Sequence, residues 1–285
     1  MHPFAYARPA TLSEALGLLS EHGADASLLA GGTDLIVALR NRTLKPKVVI
    51  DLKRVAELRP AIADDGHAVT ISATTPLADV GDDRRIQARF SALVEAAATV
   101  GSIQIRNRAT LTGNICHASP AADTAPALLV YEAVINVAGP RGTRRVKVND
   151  FFVGPGKTSL QSGELVTSVE LPASTERRGV AFARITRRRG VDLATVSVCC
   201  MVTAGGQTTF AFGAAAPRPF VVGDDSGVLA DPAAGEAAKD GLLQRLVAQA
   251  NPITDVRGSR EYRAAMLLVL SRRALQASIE RLAAA

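Results

Sequence analysis

The stretch SLLAGGTDLIVAL (residues 27–39) places two adjacent glycines, Gly31 and Gly32, between two apolar runs. The first run has the length of a buried strand, and the second predicts a helix that opens after the turn. Glycine costs backbone entropy, so this turn needs either unusual dihedral angles or a close approach of the backbone to another group. Two interpretations follow. Either the glycines form a tight turn and Asp34 caps the helix, or backbone N–H groups and the Thr33 hydroxyl bind a phosphate.

The turn matches neither of the common phosphate-binding motifs. No lysine follows the glycines as in G-x-x-x-x-G-K-[ST], and the spacing differs from G-x-G-x-x-G. The motif therefore indicates neither a P-loop nor a Rossmann dinucleotide site. Both interpretations of the turn stay open on this segment alone.

A second loop, ATLTGNICHASPAAD (residues 109–123), again places hydroxyl side chains beside a glycine. Thr110 and Thr112 precede Gly113, and Ser119 and Asp123 follow with a hydroxyl and a carboxylate. A carboxylate suits the hydroxyl groups of a ribose or ribityl chain and does not suit a pyrophosphate. Two such loops suit one ligand that contains two phosphates, or a sugar and a phosphate.

The amino-acid composition limits the classes of protein to which this chain can belong. With 285 residues and 47% hydrophobic residues, the chain is long enough for two folded units with real cores. The net charge of +6 comes from scattered basic residues, without the motifs or interleaved aromatics of a nucleic-acid-binding protein. The three cysteines and four histidines lack the spacing of metal ligands. No signal peptide and no run of roughly 18 apolar residues is present, so we expect a cytoplasmic protein without a membrane span.

The pattern of apolar residues predicts an α+β protein with a break near residue 175. Residues 1–58 alternate helix, strand, helix and strand, beginning with a helix capped by Thr11 and Glu14. Residues 59–175 form a second block of short strands and two helices, with a long polar loop at residues 101–128. The polar segment PASTERRG (residues 172–179) predicts a linker, and three strands followed by two helices predict a separate α+β domain after it.

The two loops, in the form AGGTDL and IRNRATLTGNICHASPAADTAPALL, together with GELVTSVELP, resemble the FAD-binding medium subunit of the molybdenum hydroxylases. Xanthine dehydrogenase and carbon monoxide dehydrogenase belong to that family. The resemblance covers nearly the whole chain, because DVRGSREYRAAMLLVLSRRAL is similar to the C-terminal domain of that subunit.

The resemblance implies a two-subdomain FAD-binding fold of the para-cresol methylhydroxylase and vanillyl-alcohol oxidase type, followed by a smaller α+β domain with a short antiparallel sheet and helices. The FAD-binding domain would span residues 1–175, with subdomains at about 1–58 and 59–175. The C-terminal domain would span residues 178–285.

The resemblance also implies which residues bind FAD. Residues 29–35 would surround the pyrophosphate with backbone donors, and residues 110–114 would contact the same cofactor from the other side. Ser119 and Asp123 would contact the ribityl and sugar region. The complete implied set is Leu29, Ala30, Gly31, Gly32, Thr33, Asp34, Leu35, Ala109, Thr110, Thr112, Gly113, Asn114, Cys116, Ser119, Asp123, Leu165, Val166, Arg184 and Asp192.

The later positions in that set have separate implied roles. Leu165 and Val166 would pack on the ring system or the adenine, Arg184 would lie near the flavin, and Asp192 would lie in a segment that approaches the ring. The sequence departs from the family at Thr112, where many relatives have a second glycine. We expect the Thr112 side chain to point away from the phosphates or to donate its hydroxyl to them. No catalytic residue and no metal ligand is implied in this chain.

A subunit of this type transfers electrons without an acid–base pair of its own, because the flavin ring performs the redox chemistry. The implied partners are a small subunit with two [2Fe–2S] clusters and a large molybdenum-cofactor subunit, in a dimer of heterotrimers. The implied electron acceptor is NAD, a quinone or oxygen. Two alternatives stay open: a self-sufficient FAD-dependent oxidoreductase of the same fold, and a nucleotide-binding or scaffold protein in which the glycine turns are only structural.

Overall fold

A computed structural model describes residues 1–284 of the chain. The N-terminal part contains a parallel three-stranded sheet in the order β1-β3-β2. The carboxyl ends of β2 and β3 meet at one edge of this sheet, because Leu29 pairs with Asp51. The first glycine turn follows β2 directly. The elements are β1 (Ala5–Ala7), α1 (Leu12–His22), β2 (Ala26–Leu29), α2 (Leu35–Arg40) and β3 (Val48–Asp51).

Helix α1 begins as its capping pattern predicts. The Thr11 hydroxyl accepts a hydrogen bond from the Glu14 amide, and the Glu14 carboxylate accepts one from the amide of Ala10. The helix ends at Gly23, which has a φ of 49° that favours glycine. The sequence pattern did not predict β1, because a strand of three residues is too short to show a period.

The middle part of the chain forms a five-stranded antiparallel sheet in the order β4-β5-β10-β6-β7, with helices packed against it. The central strand β10 pairs with β5 through Val169 and Ile71 and with β6 through Val169 and Ile135. The elements are β4 (Ile62–Asp64), β5 (Ala68–Ser72), α3 (Leu77–Asp82), α4 (Arg84–Arg89), α5 (Ser91–Ala98), α6 (Ile103–Arg106), α7 (Leu111–Cys116), α8 (Thr124–Val130), β6 (Val134–Gly139), β7 (Gly142–Lys147), α9 (Val148–Phe151), β8 (Phe152–Gly154), β9 (Lys157–Thr158) and β10 (Leu165–Pro172).

The prediction of one long polar loop at residues 101–128 is wrong. This segment contains the short helices α6 and α7 and the beginning of α8. Each of the three has between four and seven residues. A helix of that length spans at most two turns, so its apolar residues cannot repeat often enough to show a helical period.

The C-terminal part is an antiparallel sheet in the order β11-β12-β13-β14, and helix α11 packs along β11 and β12. Four strands are present within the described residues, whereas the sequence predicted three. The additional strand, β14, has only five residues and follows a proline-containing turn. The elements are β11 (Arg178–Ile185), β12 (Val196–Thr203), β13 (Thr208–Gly213), β14 (Phe220–Asp224), α10 (Glu236–Val247) and α11 (Arg260–Ala284).

Strand β12 is buried on both faces. Val198 and Cys200 belong to the core formed with α10 and α11, whereas Cys199 belongs to the core formed with the middle sheet and its helices. Side chains alternate between the two faces of a strand, so neighbouring residues enter different cores. This explains the mostly apolar run at residues 194–204 and places both Cys199 and Cys200 in the protein interior.

The architecture confirms the expected α+β class, with a parallel and an antiparallel sheet in the N-terminal part and a smaller antiparallel sheet with helices in the C-terminal part. The boundaries at residues 175 and 178 stay predictions, and Ala285 lies outside the described residues. No helix within residues 1–284 is both long and apolar enough to cross a membrane.

The packing of α11 on β11 gives a stability prediction for Gly179. A methyl group there would lie 2.5 Å from the Leu282 amide nitrogen and 2.9 Å from the Ser278 carbonyl carbon. We expect Gly179→Ala to lower the free energy of unfolding by about 1–3 kcal/mol, because the backbone of α11 has to move. Urea denaturation followed by circular dichroism measures the change.

The matched control for that substitution is Gly17→Ala in helix α1. No heavy atom lies within 4 Å of the added methyl group there. Alanine in an exposed helix should raise the free energy of unfolding by roughly 0.5–1 kcal/mol. Equal stability of both variants would contradict the described packing of α11.

Candidate flavin site

The two glycine loops meet through their backbones. A methyl group at Gly31 would lie 2.8 Å from the Arg108 carbonyl carbon and 2.9 Å from the Ala109 Cα, well inside van der Waals contact. Only glycine therefore permits this approach between the turn after β2 and the segment before α7. The contact joins residues that are far apart in the sequence and belong to different subdomains.

The first turn leaves its backbone donors free. Gly32 has a φ of 79°, in the left-handed region that favours glycine, and its carbonyl oxygen accepts the Ile36 amide that opens α2. Within residues 1–284, the amides of Gly31, Gly32, Thr33 and Asp34 donate to no protein acceptor. Such a row of free amides is a typical binding site for an anion.

Asp34 does not cap helix α2. It occupies the N-cap position, but its side chain accepts no hydrogen bond from the first turn, and the residue is exposed. The interpretation of the turn as a helix start capped by Asp34 is therefore wrong.

A polar network supports the first turn from the end of β3. The Asp51 carboxylate accepts hydrogen bonds from the Tyr6 hydroxyl and, at 2.6 Å, from the Lys53 ammonium, which also lies 3.5 Å from the Ala30 carbonyl oxygen. Burial raises the pKa of Asp51, but the hydrogen bonds from Lys53 and Tyr6 outweigh burial and hold it below its usual value. The sequence analysis missed this network. Its signal was an aspartate at the carboxyl end of a parallel strand, where ligands of α/β sheets bind.

The second loop uses part of its donor capacity on itself. The Thr110 hydroxyl accepts the Gly113 amide at 2.8 Å, and the Thr110 carbonyl accepts the Asn114 amide at 3.0 Å. These amides are therefore occupied. In the part of the chain that the structure describes, the amide of Thr112 donates to no protein acceptor, whereas that of Leu111 faces the Thr75 carbonyl across the short antiparallel bridge between Pro76 and Thr110.

Thr112 has a buried hydroxyl that makes no hydrogen bond to any described residue. An unpaired buried hydroxyl costs free energy, so this hydroxyl is available to donate to a ligand. Asn114 is oriented differently, because its side-chain oxygen accepts a 2.6 Å hydrogen bond from the Thr124 hydroxyl at the start of α8. This bond ties helices α7 and α8 together.

Asp123 and Arg184 form a buried ion pair between the second loop and β11. The Arg184 Nη1 lies 2.6 Å from the Asp123 Oδ2, and the side chains are 13% and 8% exposed. The other carboxylate oxygen, Oδ1, is buried; the Thr99 hydroxyl lies near the carboxylate but donates its hydrogen bond to the Ala96 carbonyl oxygen at 2.6 Å, which leaves Oδ1 without a partner among residues 1–284. Burial raises the pKa of Asp123 to about 7, against the opposite effect of Arg184.

The remaining residues of the expected site lie in three different environments. Ser119 is half-buried, and its hydroxyl accepts the Ala121 amide at 3.2 Å. Cys116 is also half-buried, and burial raises the pKa of its thiol to about 12. Asp192 lies in the loop between β11 and β12, where its Oδ1 is 3.1 Å from Arg187 Nη2 and accepts the Leu193 amide at 3.0 Å.

Leu165 and Val166 lie in the protein interior. Leu165 is 1% exposed and packs in the core beneath the parallel sheet, and Val166 is 3% exposed and packs in the core of the middle sheet. The structure therefore brings the two loops together and pairs Asp123 with Arg184. It places Asp192 against Arg187 and the two apolar residues against protein side chains.

The observations together fit a dinucleotide cofactor. Free amides at the first turn suit phosphate oxygens, the unpaired Thr112 hydroxyl can donate to an acceptor, and the unpaired Asp123 Oδ1 can accept from a hydroxyl group. FAD contains both a pyrophosphate and sugar hydroxyl groups. It therefore needs an anion site, such as the glycine turn, together with a carboxylate that accepts from hydroxyl groups.

Comparison with known proteins shows the family. A model of the FAD binding domain in molybdopterin dehydrogenase matches residues 2–174, and a model of the CO dehydrogenase flavoprotein C-terminal domain matches residues 181–278. The chain belongs to the FAD-binding medium subunits of the molybdenum hydroxylases. It is an FAD-binding subunit of the carbon monoxide dehydrogenase and xanthine dehydrogenase type.

Individual relatives agree with this membership. The chain is 32% identical to the carbon monoxide dehydrogenase medium chain of Hydrogenophaga pseudoflava, with 98% of each chain covered. It is 30% identical to the putative xanthine dehydrogenase FAD-binding subunit of Escherichia coli strain K12, with 98% and 97% covered. Among solved structures, carbon monoxide dehydrogenase from Hydrogenophaga pseudoflava superposes with a TM-score of 0.90 at 31% identity, with 99% of each chain covered.

The contact at Gly31 gives a direct prediction for FAD binding. Gly31→Ala forces the two loops apart at a cost of about 1–3 kcal/mol, which corresponds to roughly a five- to hundredfold loss of FAD affinity. The dissociation constant from flavin fluorescence quenching and the flavin-to-protein ratio after gel filtration measure this loss.

Gly81→Ala in helix α3 is the matched control, because no heavy atom lies within 4 Å of the added methyl group. This variant should bind FAD like the unmodified chain. A folded Gly31→Ala protein with full FAD affinity would show that the two loops do not bind the cofactor together.

Proposed function

We propose that this chain is the electron-transfer subunit of a heterotrimeric molybdenum hydroxylase. It takes electrons from [2Fe–2S] clusters of a small partner subunit, while a large partner subunit contains the molybdenum cofactor and oxidises the substrate. The electrons leave through FAD to NAD, a quinone or oxygen. The active assembly is a dimer of such heterotrimers, and this chain is an oxidoreductase only within it. A cytoplasmic location stays a prediction from the sequence.

The observation that supports this proposal most strongly is the backbone contact between the two loops at Gly31 and Arg108. In the proposed site, at the junction of two subdomains, the free amides of the first turn and the unpaired polar atoms of Thr112 and Asp123 contact one cofactor. The membership in a family of medium subunits supports the multi-subunit arrangement, because the relatives are named as medium chains or FAD subunits of dehydrogenases.

In this proposal the chain binds FAD through groups of different chemistry. The amides of residues 31–34 donate to the pyrophosphate, together with the Thr112 hydroxyl. The Asp123 Oδ1 accepts from hydroxyl groups of the ribityl or sugar region, and Ser119 lies beside it. Arg184 acts through Asp123, because its guanidinium holds the other carboxylate oxygen.

FAD supplies, when bound, an isoalloxazine ring that takes up electrons from one-electron donors and releases them to an acceptor. The protein binds and orients the cofactor and excludes water from part of it. The buried ion pair between Asp123 and Arg184 adds an electrostatic contribution, since charges interact more strongly where water is excluded. Contacts of Ala109, Cys116, Leu165, Val166 and Asp192 with FAD stay predictions.

The role of Asp123 predicts that FAD binding depends on pH. The pKa of Asp123 is about 7 in the cofactor-free chain. Hydroxyl groups that donate to the carboxylate favour its ionised form, so bound FAD lowers this pKa. The complex then holds fewer protons than the free chain, and FAD affinity rises with pH up to about 7 and stays constant above it. The slope below pH 7 is at most about tenfold per pH unit for one proton.

Titration calorimetry at several pH values tests this prediction, with Asp123→Asn as the variant. The variant should bind FAD more weakly and without the pH-dependent slope. Asp150→Asn, at an exposed position of α9, is the matched control and should keep the slope. A slope that persists in Asp123→Asn would assign the titration to another group.

Purification of the native complex tests the proposed function as a whole. The chain is tagged in its own organism, and the purified material is analysed for subunits, flavin, iron and molybdenum. We expect two partner subunits, FAD, iron and molybdenum, and reduction of the flavin only when the iron–sulfur subunit is present. A yellow chain that purifies alone and oxidises an organic substrate by itself would instead establish a self-sufficient oxidoreductase.

A further inference from the structure

A cavity of about 440 Å³ lies where the N-terminal and C-terminal parts of the chain meet, away from the flavin site. Arg89, Ser91 and Tyr131 line it from the N-terminal side, and Arg178 and Arg281 line it from β11 and α11. Arg178 and Arg184 lie six positions apart on β11, so the cavity is about 20 Å along the strand from the Asp123–Arg184 pair.

Three guanidinium groups converge on this cavity around two aromatic rings. The Arg178 guanidinium carbon lies 4.9 Å from the centre of the Tyr131 ring and 5.6 Å from that of Phe90. The Arg89 guanidinium carbon lies 5.8 Å from the centre of the same Phe90 ring. Arg281 donates a 2.5 Å hydrogen bond to the carbonyl oxygen of Val180, two residues after Arg178.

Two carboxylates neutralise two of the three arginines: Asp64, and Glu95, which itself lines the cavity. Arg89 forms an ion pair with Asp64, and Arg281 forms one with Glu95. Glu132 acts on the charge of Arg178 through space but forms no ion pair with it. Within residues 1–284, Arg178 has neither an ion-pair nor a hydrogen-bond partner, although it is half-buried. The cavity therefore contains one positive charge, that of Arg178, which no ion pair among the described residues neutralises.

A half-buried guanidinium with free donors is suited to one class of ligand. Its five N–H groups form a planar fork that matches two oxygen atoms of a phosphate or carboxylate. The Ser91 hydroxyl lies on the same wall and can donate or accept a further hydrogen bond. The cavity volume is within the range of small-molecule sites, so it has room for more than a single ion.

We propose that this cavity binds the phosphate group of a small molecule, with Arg178 as its principal ligand. The site lies outside the electron-transfer function proposed above and does not depend on it. Since residues from both parts of the chain line the cavity, a bound phosphate links them and stabilises the folded protein.

Calorimetric titration of the FAD-saturated full-length chain tests the proposal, because bound FAD keeps phosphate out of the flavin site. The probes are inorganic phosphate and AMP, at an ionic strength held constant with sodium chloride. We expect saturable binding of one phosphate group per chain and an increase of the melting temperature with phosphate concentration. Tighter binding of AMP would show that the organic part also occupies the cavity, and equal binding would show that the phosphate group alone is recognised. Either result supports the site.

Variants locate the binding. Arg178→Gln should weaken phosphate binding by about tenfold or more, since it removes a charge-assisted hydrogen-bond donor. Arg145→Gln is the matched control, because it removes the same charge from an exposed arginine on β7 and should change the affinity by less than about twofold. Arg178→Lys should bind with intermediate affinity, because lysine keeps the charge but cannot bind two oxygens with a planar fork.

A second pair of variants serves if Arg178→Gln does not fold. Ala88 is an exposed residue on the cavity wall, so Ala88→Glu adds a carboxylate that neutralises Arg178, and Ala88→Gln adds the same volume without charge. Glutamate should abolish phosphate binding and glutamine should weaken it only slightly. Absence of saturable phosphate binding in the unmodified chain overturns the proposal. Equal phosphate affinities of Arg178→Gln and Arg145→Gln also overturn it, as do equal affinities of Ala88→Glu and Ala88→Gln.

Discussion

The architecture of the flavin site depends on one contact between backbone atoms. In this contact the backbone of Gly31 approaches the backbone of Arg108 and Ala109. This contact sets the parallel sheet of the first subdomain against the helices of the second. It also determines which groups are left for a ligand, because the turn that makes the approach uses none of its own amides. A side chain at position 31 would separate the two subdomains where they must act together, so the requirement for glycine is both structural and functional.

Several polar groups of the two loops that make this contact have no protein partner within residues 1–284. The amides of residues 31–34, the Thr112 hydroxyl and one oxygen of Asp123 lack partners among the described residues. Buried polar groups in folded proteins nearly always have a partner, so these groups are available to a ligand that completes the structure. The Asp123–Arg184 pair extends the site to the C-terminal domain, which means that the sheet of that domain helps to position a residue of the cofactor loop.

The sequence predicted the fold where its apolar residues form long runs or a clear period. The capped helix α1, the strands β2 and β3 and the long helix α11 were all evident in this way. The short helices α6, α7 and α8 were not, because they span at most two turns. The resemblance to a family supplied the candidate flavin site, whereas the contact of Gly31 with Arg108 and the support of Ala30 by Lys53 came only from the folded backbone. No pattern in a sequence reports which carbonyl lies beside a distant glycine.

Amide hydrogen exchange at the two loops tests the central claim most directly, namely that backbone donors of both loops bind one cofactor. Exchange is measured by NMR on the FAD-free and FAD-saturated chain, residue by residue. Binding should slow exchange at Gly31, Gly32 and Thr33 of the first loop and at Thr112 of the second. Exchange at Gly113 and Asn114 should change far less, because Thr110 already accepts their hydrogen bonds. Unchanged exchange at the first turn, with FAD bound, would contradict the account.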